Sequence, residues 1–205
     1  MLVWTIQPKI VYEEVKTKGY FITDPKYSEY NYMYYGYKDD KIFKKAYDFL
    51  IDELNKRMPK PKGYKNLKIP LWAYYKIDGK NEKIDMKYYG KYQRKPYVLF
   101  ELNIPNNEIV IFDSDEWITI LNNLPLKIVH NEIEYDEHHK YYDSLSDDEK
   151  ERYKINSWKK YLFDVNIYTE GFEEGWEYKR EYLEGVFWVL KKEYINKVWI
   201  YNDNL

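Results

Sequence analysis

The sequence contains no cysteine. That excludes disulfides, thiolate nucleophiles, cysteine-ligated zinc and iron–sulfur clusters together. Long apolar runs are also missing. Stretches such as Val186–Leu190 fall far short of the ~20 residues a membrane-spanning helix needs. The opening MLVWTIQPK carries neither a basic n-region nor an apolar h-region, so no signal peptide is expected. A soluble, cytoplasmic chain with no membrane partner is the expectation. No P-loop, GxGxxG, GxSxG or HExxH pattern occurs. Histidine is limited to His130, His138 and His139.

What is abundant is aromatic. The 205 residues are 44% hydrophobic and 20% aromatic, with 26 Tyr and 7 Trp. Disordered chains are poor in aromatics, so a packed core is expected despite a mean hydropathy of −0.82. At 25.5 kDa the chain reads as a single domain, 1–205. The net charge of −2 hides an asymmetry. Residues 56–95 hold 13 Lys/Arg against Asp78, Glu82 and Asp85, whereas 131–184 hold 16 acids against 8 bases. The basic segment is either a site for an anionic partner or a solvated face.

Patterning places the elements. Leu2–Gln7 reads as a strand and Pro8–Lys18 as a helix, with Val11 and Val15 one turn apart and Gly19 at its end. Asp24–Lys38 is a Tyr-rich loop, either packed or a lid. Asp40–Met58 is the clearest helix, with Phe43, Ala46, Phe49, Leu50 and Leu54 in one stripe and Asp39 or Asp40 as its cap. Ile69–Ile77, Tyr97–Ile104 and Ile109–Phe112 read as strands, and Asp113–Asp115 caps a helix through Trp117, Ile120 and Leu121. His130–Tyr142 reads as irregular. Ser146 and Glu149 form a capping box for a helix to about Phe163. Leu183–Leu190 and Val198–Tyr201 read as the last strands. The fold class is α+β: one domain, a mixed or antiparallel central sheet and flanking helices.

Three features carry chemistry. His138-His139 lies among Glu134, Asp136, Glu137 and Asp143, but adjacent side chains diverge on any regular element, so no metal site is assigned. The basic segment interleaves Lys87, Lys91, Arg94 and Lys95 with Tyr64, Trp72, Tyr74, Tyr75, Tyr88, Tyr89, Tyr92 and Tyr97. Cations beside stacking rings are what a nucleotide or single-stranded nucleic acid requires. Glu184 opens the apolar LEGVFWVL, and Gly185 beside it leaves room for close approach. It is a catalytic candidate or a strand-end residue. The Tyr-rich stretch 27–37 offers a surface for a protein partner, as for an inhibitor or antitoxin.

Val3-Trp4-Thr5-Ile6-Gln7-Pro8 with Tyr12 and Gly19, Ala46–Leu50, Pro70-Leu71-Trp72-Ala73-Tyr74-Tyr75, Leu99–Pro105 with Asp113 and Trp117, Asn156-Ser157-Trp158 with Phe163-Asp164, and Phe187-Trp188 together resemble the bacterial family catalogued as domain of unknown function 3841. That resemblance implies no activity. The first strand and helix, and the late Gly185–Trp188, are distantly similar to ADP-ribosyltransferase-like domains, whose small bacterial members include toxins and phage-defence factors. This second resemblance implies NAD as co-substrate, Glu184 as the catalytic acid, and Trp72, Tyr74 or Tyr75 as a stacking platform. Trp4, Thr5 and Gln7 occupy the first-strand position where that superfamily often carries His or Arg. A non-catalytic nucleotide or nucleic-acid module remains the alternative.

Overall fold

The computed structural model describes residues 1–23, 41–58, 60–61, 67, 69–90 and 96–202. The chain runs β1 (Leu2–Pro8), α1 (Lys9–Lys18), β2 (Tyr20–Phe21), α2 (Lys41–Arg57), β3 (Leu71–Lys76), α3 (Met86–Tyr89), β4 (Tyr97–Asn103) and β5 (Val110–Asp113). It continues α4 (Ser114–Leu121), α5 (Glu132–Ser144), α6 (Asp147–Tyr161), β6 (Leu183–Phe187), β7 (Leu190–Lys191), a 3₁₀ turn (Lys192–Tyr194) and β8 (Ile195–Tyr201). Six strands form one sheet in the order β5-β6-β3-β1-β4-β8, and β2 pairs with β7. Every strand pair described is antiparallel, which resolves the mixed-or-antiparallel expectation.

The sheet is buried on both faces, because side chains alternate across it. One face presents Val3, Leu71, Ala73, Val98, Phe100, Leu102 and Phe187, and α1 covers it with Val11 and Val15. Gly19, at φ 83°, ends that helix by donating its N–H to the Val15 carbonyl at 2.9 Å. The other face divides in two. Its β5–β6–β3 side, with Phe112, Val186 and Trp72, packs under α2, α4 and α6 through Leu50, Leu54, Trp117, Ile120 and Trp158. Its β1–β4–β8 side, with Trp4, Leu99, Trp199 and Tyr201, packs under Ile84, Met86 and Tyr89.

Two expectations are corrected. The segment read as irregular after His130 is helix α5. Asn131 caps it, accepting from the Glu134 N–H at 2.9 Å, and Glu132 and Glu134 suit the positive end of its dipole. The helix buries only His138, so it leaves almost no hydrophobic period in the sequence. Leu183–Leu190 is not one strand. β6 stops at Phe187, Trp188 turns into the α2 core and donates its indole N–H to the Met58 carbonyl at 2.9 Å, and Leu190 joins the second sheet. The capping box at Ser146 and Glu149 is present, and α6 follows it as expected. The caps expected at Asp39 or Asp40 lie outside the described residues, as does the Tyr-rich stretch.

Candidate active site at the seam of the sheet

Register places one row of side chains across all six strands: Phe112, Glu184, Tyr74, Trp4, Glu101 and Lys197. Directly opposed residues share a face. Glu184 therefore stands between Phe112 of the α2-covered cluster and Tyr74 of the α3-covered cluster, at the seam where the two meet. It is half-buried, as are Tyr74, Trp72 and Ser114.

The setting shifts its protonation. Burial pushes the Glu184 carboxyl up to about 7, and the nearby Ser114 hydroxyl opposes this. Tyr47 on α2 and Tyr74 are both pushed up to about 12, first by burial and then by the negative charge of Glu184. Tyr89, whose ring centroid lies 5.4 Å from that of Tyr74, is raised first by burial, with Asp78, Tyr88 and Glu184 adding to it. A carboxyl that titrates near neutrality among phenols that stay protonated can both accept and return a proton under physiological conditions.

The indole N–H groups of Trp4 and Trp72 are buried without a hydrogen-bond partner among the described residues. Trp72 is a diagonal neighbour of Glu184, since it faces Val186. Its ring packs on Phe112 at 5.4 Å, Trp117 at 5.8 Å and Tyr47 at 6.5 Å.

The structure thus brings Trp4, Trp72 and Tyr74 to the face of Glu184. It places Thr5, Gln7 and Tyr75 elsewhere. Thr5 and Gln7 share the parity of Val3 and point to the α1-covered side, where the Thr5 hydroxyl donates to the Trp72 carbonyl at 2.7 Å and the Gln7 amide to Thr5 Oγ1 at 2.7 Å. Tyr75 packs with that side too. The space expected beside Gly185 is filled by the Ile109 and Ile111 side chains. Lys87 is exposed on α3, while Lys91, Arg94 and Lys95 lie outside the described residues, as do Tyr64 and Tyr92. Near Lys87, the Lys83 ammonium stands 4.2 Å over the Trp199 ring, and Tyr97 stacks on Tyr201 at 5.1 Å.

His138 Nε2 lies 3.0 Å from the Tyr153 hydroxyl between α5 and α6. Among the described residues no group of three His, Asp or Glu is arranged to hold a metal. Among them, too, no helix is long and apolar enough to cross a membrane. Two neighbours of Glu184 carried no sequence signal. Tyr47 is one of 26 tyrosines, and Ser114 reads as a helix-start residue until the register of β5 and β6 is known.

The fold defines an α+β domain built on an open antiparallel sheet, with a half-buried acid at its seam. The chain matches the family described as Domain of unknown function (DUF3841) over residues 2–196, and it belongs to that family. No curated protein and no solved structure matches it.

Proposed function

We propose that the chain is an enzyme whose working carboxylate is Glu184, and that it acts on the N-glycosidic bond of NAD in the manner of ADP-ribosyltransferase-like domains. The observation that carries this reading is the placement of half-buried Glu184 in register between Phe112 and Tyr74, at the seam of the two clusters, where burial pushes its carboxyl up to about 7. In such a reaction the bond between ribose and nicotinamide breaks, its electron pair leaves with the nicotinamide nitrogen, and positive charge develops on the ribose. A carboxylate that accepts a hydrogen bond from a ribose hydroxyl stabilises that charge, as hydroxyl contacts do in glycoside hydrolysis.

The chemistry of these side chains supports one end of this substrate. Glu184, Tyr74 and the edge of Trp72 suit the ribose and nicotinamide. The indole N–H groups of Trp4 and Trp72 are buried on the same face without a partner among the described residues. Thr5 and Gln7, turned to the opposite face, take no part. A role as a toxin or phage-defence factor, with nucleic acid or protein as the acceptor, is the biological form of the same proposal. The test is nicotinamide release from NAD, with and without cell lysate as a source of acceptor.

The alternative is a nucleotide or nucleic-acid binding module without turnover. The Lys83–Trp199 contact, the Tyr97–Tyr201 stack and exposed Lys87 favour it, because cations and ring faces lie together there. Binding of single-stranded oligonucleotide that falls steeply with salt, with no NAD turnover, would select this reading.

A further inference from the structure

We propose that β8 is a pairing edge: two copies of this chain join β8 to β8, antiparallel about a two-fold axis at Trp199, into one continuous sheet.

β8 closes the sheet at one end and β5 at the other. An edge strand presents a row of unpaired N–H and C=O groups, and proteins normally blunt it. β5 is blunted. It is four residues long, and its Asp113 N–H donates to the Leu162 carbonyl at the end of α6 at 3.4 Å. β8 is seven residues long, and among the described residues no strand lies on its outer side. It contains no proline, and its one charged residue is Lys197. The Lys197 ammonium lies 3.6 Å from Glu101 on β4, so its charge is partly answered within the chain. Val198, Trp199, Ile200 and Tyr201 follow, all β-branched or aromatic, and Ile200 is 45% exposed.

Register names the partner. A bulge opposite Glu101 and Leu102 leaves Asn196 without an opposed residue, and its amide donates to the Glu101 carboxylate. The regular edge is therefore Lys197–Tyr201, centred on Trp199. Opposed residues of an antiparallel pair share a sheet face. A two-fold axis perpendicular to the sheet keeps each face on its own side, so it must pass between two copies of the same residue. At Trp199 it sets Lys197 against Tyr201 and Val198 against Ile200, with the two Trp199 residues meeting at the axis. A cation beside a ring and an apolar pair both stabilise opposed strands, and like charges never face each other. Moving the axis to Val198 sets Asn196, at the bulge, against Ile200. Moving it to Ile200 sets Val198 against Asn202. The strand is thus complementary to itself in one register, which a second copy requires and an unrelated extended segment does not. Glu184 lies on β6, with β3, β1 and β4 between it and this edge, so pairing and any activity are tested separately.

The experiment is sedimentation velocity of the full chain over roughly a hundredfold dilution. One strand pair buries less than the ~1,200 Å² of a stable interface, so wild type is expected to pass from monomer to dimer as concentration rises. Ile200→Lys sets an ammonium against Val198 twice and should move the midpoint by about tenfold or more toward monomer. Ile118→Lys, at a 54% exposed position on α4, should dimerise as wild type does. A wild type that stays monomeric, or dimerisation that both lysine variants keep or both lose, overturns the proposal. If Ile200→Lys does not fold, Trp199→Cys decides, because the chain has no cysteine of its own. Opposed Cα atoms of an antiparallel pair lie ~4.5–5.5 Å apart, within reach of a disulfide. Trp199→Cys should then cross-link into a dimer under mild oxidation, faster than Ile118→Cys. Equal rates are decisive against the pairing.

Discussion

Replacing Glu184 by Gln should stabilise the protein, increasingly as pH rises from about 4.5 to above 7. The carboxyl lies at about 7 in the folded chain against an ordinary 4.5. Below about pH 4.5 both folded and unfolded chains hold the proton, and burial costs nothing extra. Between the two values the folded state holds a proton that the unfolded chain has released, so stability falls as pH rises. Above pH 7 the cost is complete, about 3 kcal/mol at 1.36 kcal/mol per unit. Gln is close in shape and carries no charge. Glu184→Gln should therefore match wild type at pH 4.5 and exceed it by up to about 3 kcal/mol at pH 8. For a chain of this size that is a rise in Tm of roughly 6–12 °C. Urea denaturation of both proteins at the two pH values measures this. Comparing the proteins at each pH cancels groups such as Glu116 that titrate in both. If the Gln variant follows wild type at both pH values, Glu184 is not desolvated at the seam.

Further outcomes follow from the packing. Gly185→Ala would put a methyl group 2.7 Å from Ile109 Cδ1 and 2.8 Å from Ile111 Cδ1, so a loss of about 1–3 kcal/mol is expected in denaturant melts. Wild-type stability there would show that β5 yields freely. Trp158→Phe removes an indole N–H that donates to the Leu124 carbonyl at 2.7 Å in a fully buried site, and should cost about 1–3 kcal/mol in the same assay. His138 is held below its ordinary value, chiefly by burial and then by Lys127 and His139. Its folded value lies below its unfolded one, so its contribution is complete above pH 6.5 and fades as pH falls. His138→Gln should lose less stability than wild type between pH 7.5 and 5, and an equal loss in both would place the acid sensitivity elsewhere.

Residues with a clear period or cap were legible before any coordinates. The α2 stripe, the capping box of α6, the Gly19 stop and the strand around Phe100 stand where local chemistry puts them. Helix α5 was hidden because its one buried side chain, His138, leaves no stripe. The break after Phe187 was hidden because Trp188 and Val189 continue the apolar run while turning to another core. At the site, Glu184 was visible as an acid at the head of an apolar strand. Its neighbours were not, because they are set by strand register. That register chose Trp4 over Thr5 and Tyr74 over Tyr75 for the face of Glu184. Tyr47 and Ser114 arrive from helices far away in sequence, and only the packed fold joins them to the acid.

The central claim is that Glu184 performs chemistry and is more than a buried acid. The most direct measurement is nicotinamide release from NAD by wild type and by Glu184→Gln, each verified as folded, with lysate supplied as acceptor. Release by wild type and a loss of about 10²–10³-fold in the variant are expected, the range for removing one group that stabilises developing charge. Equal release by both folded proteins, or none from wild type under any acceptor condition, would contradict the claim.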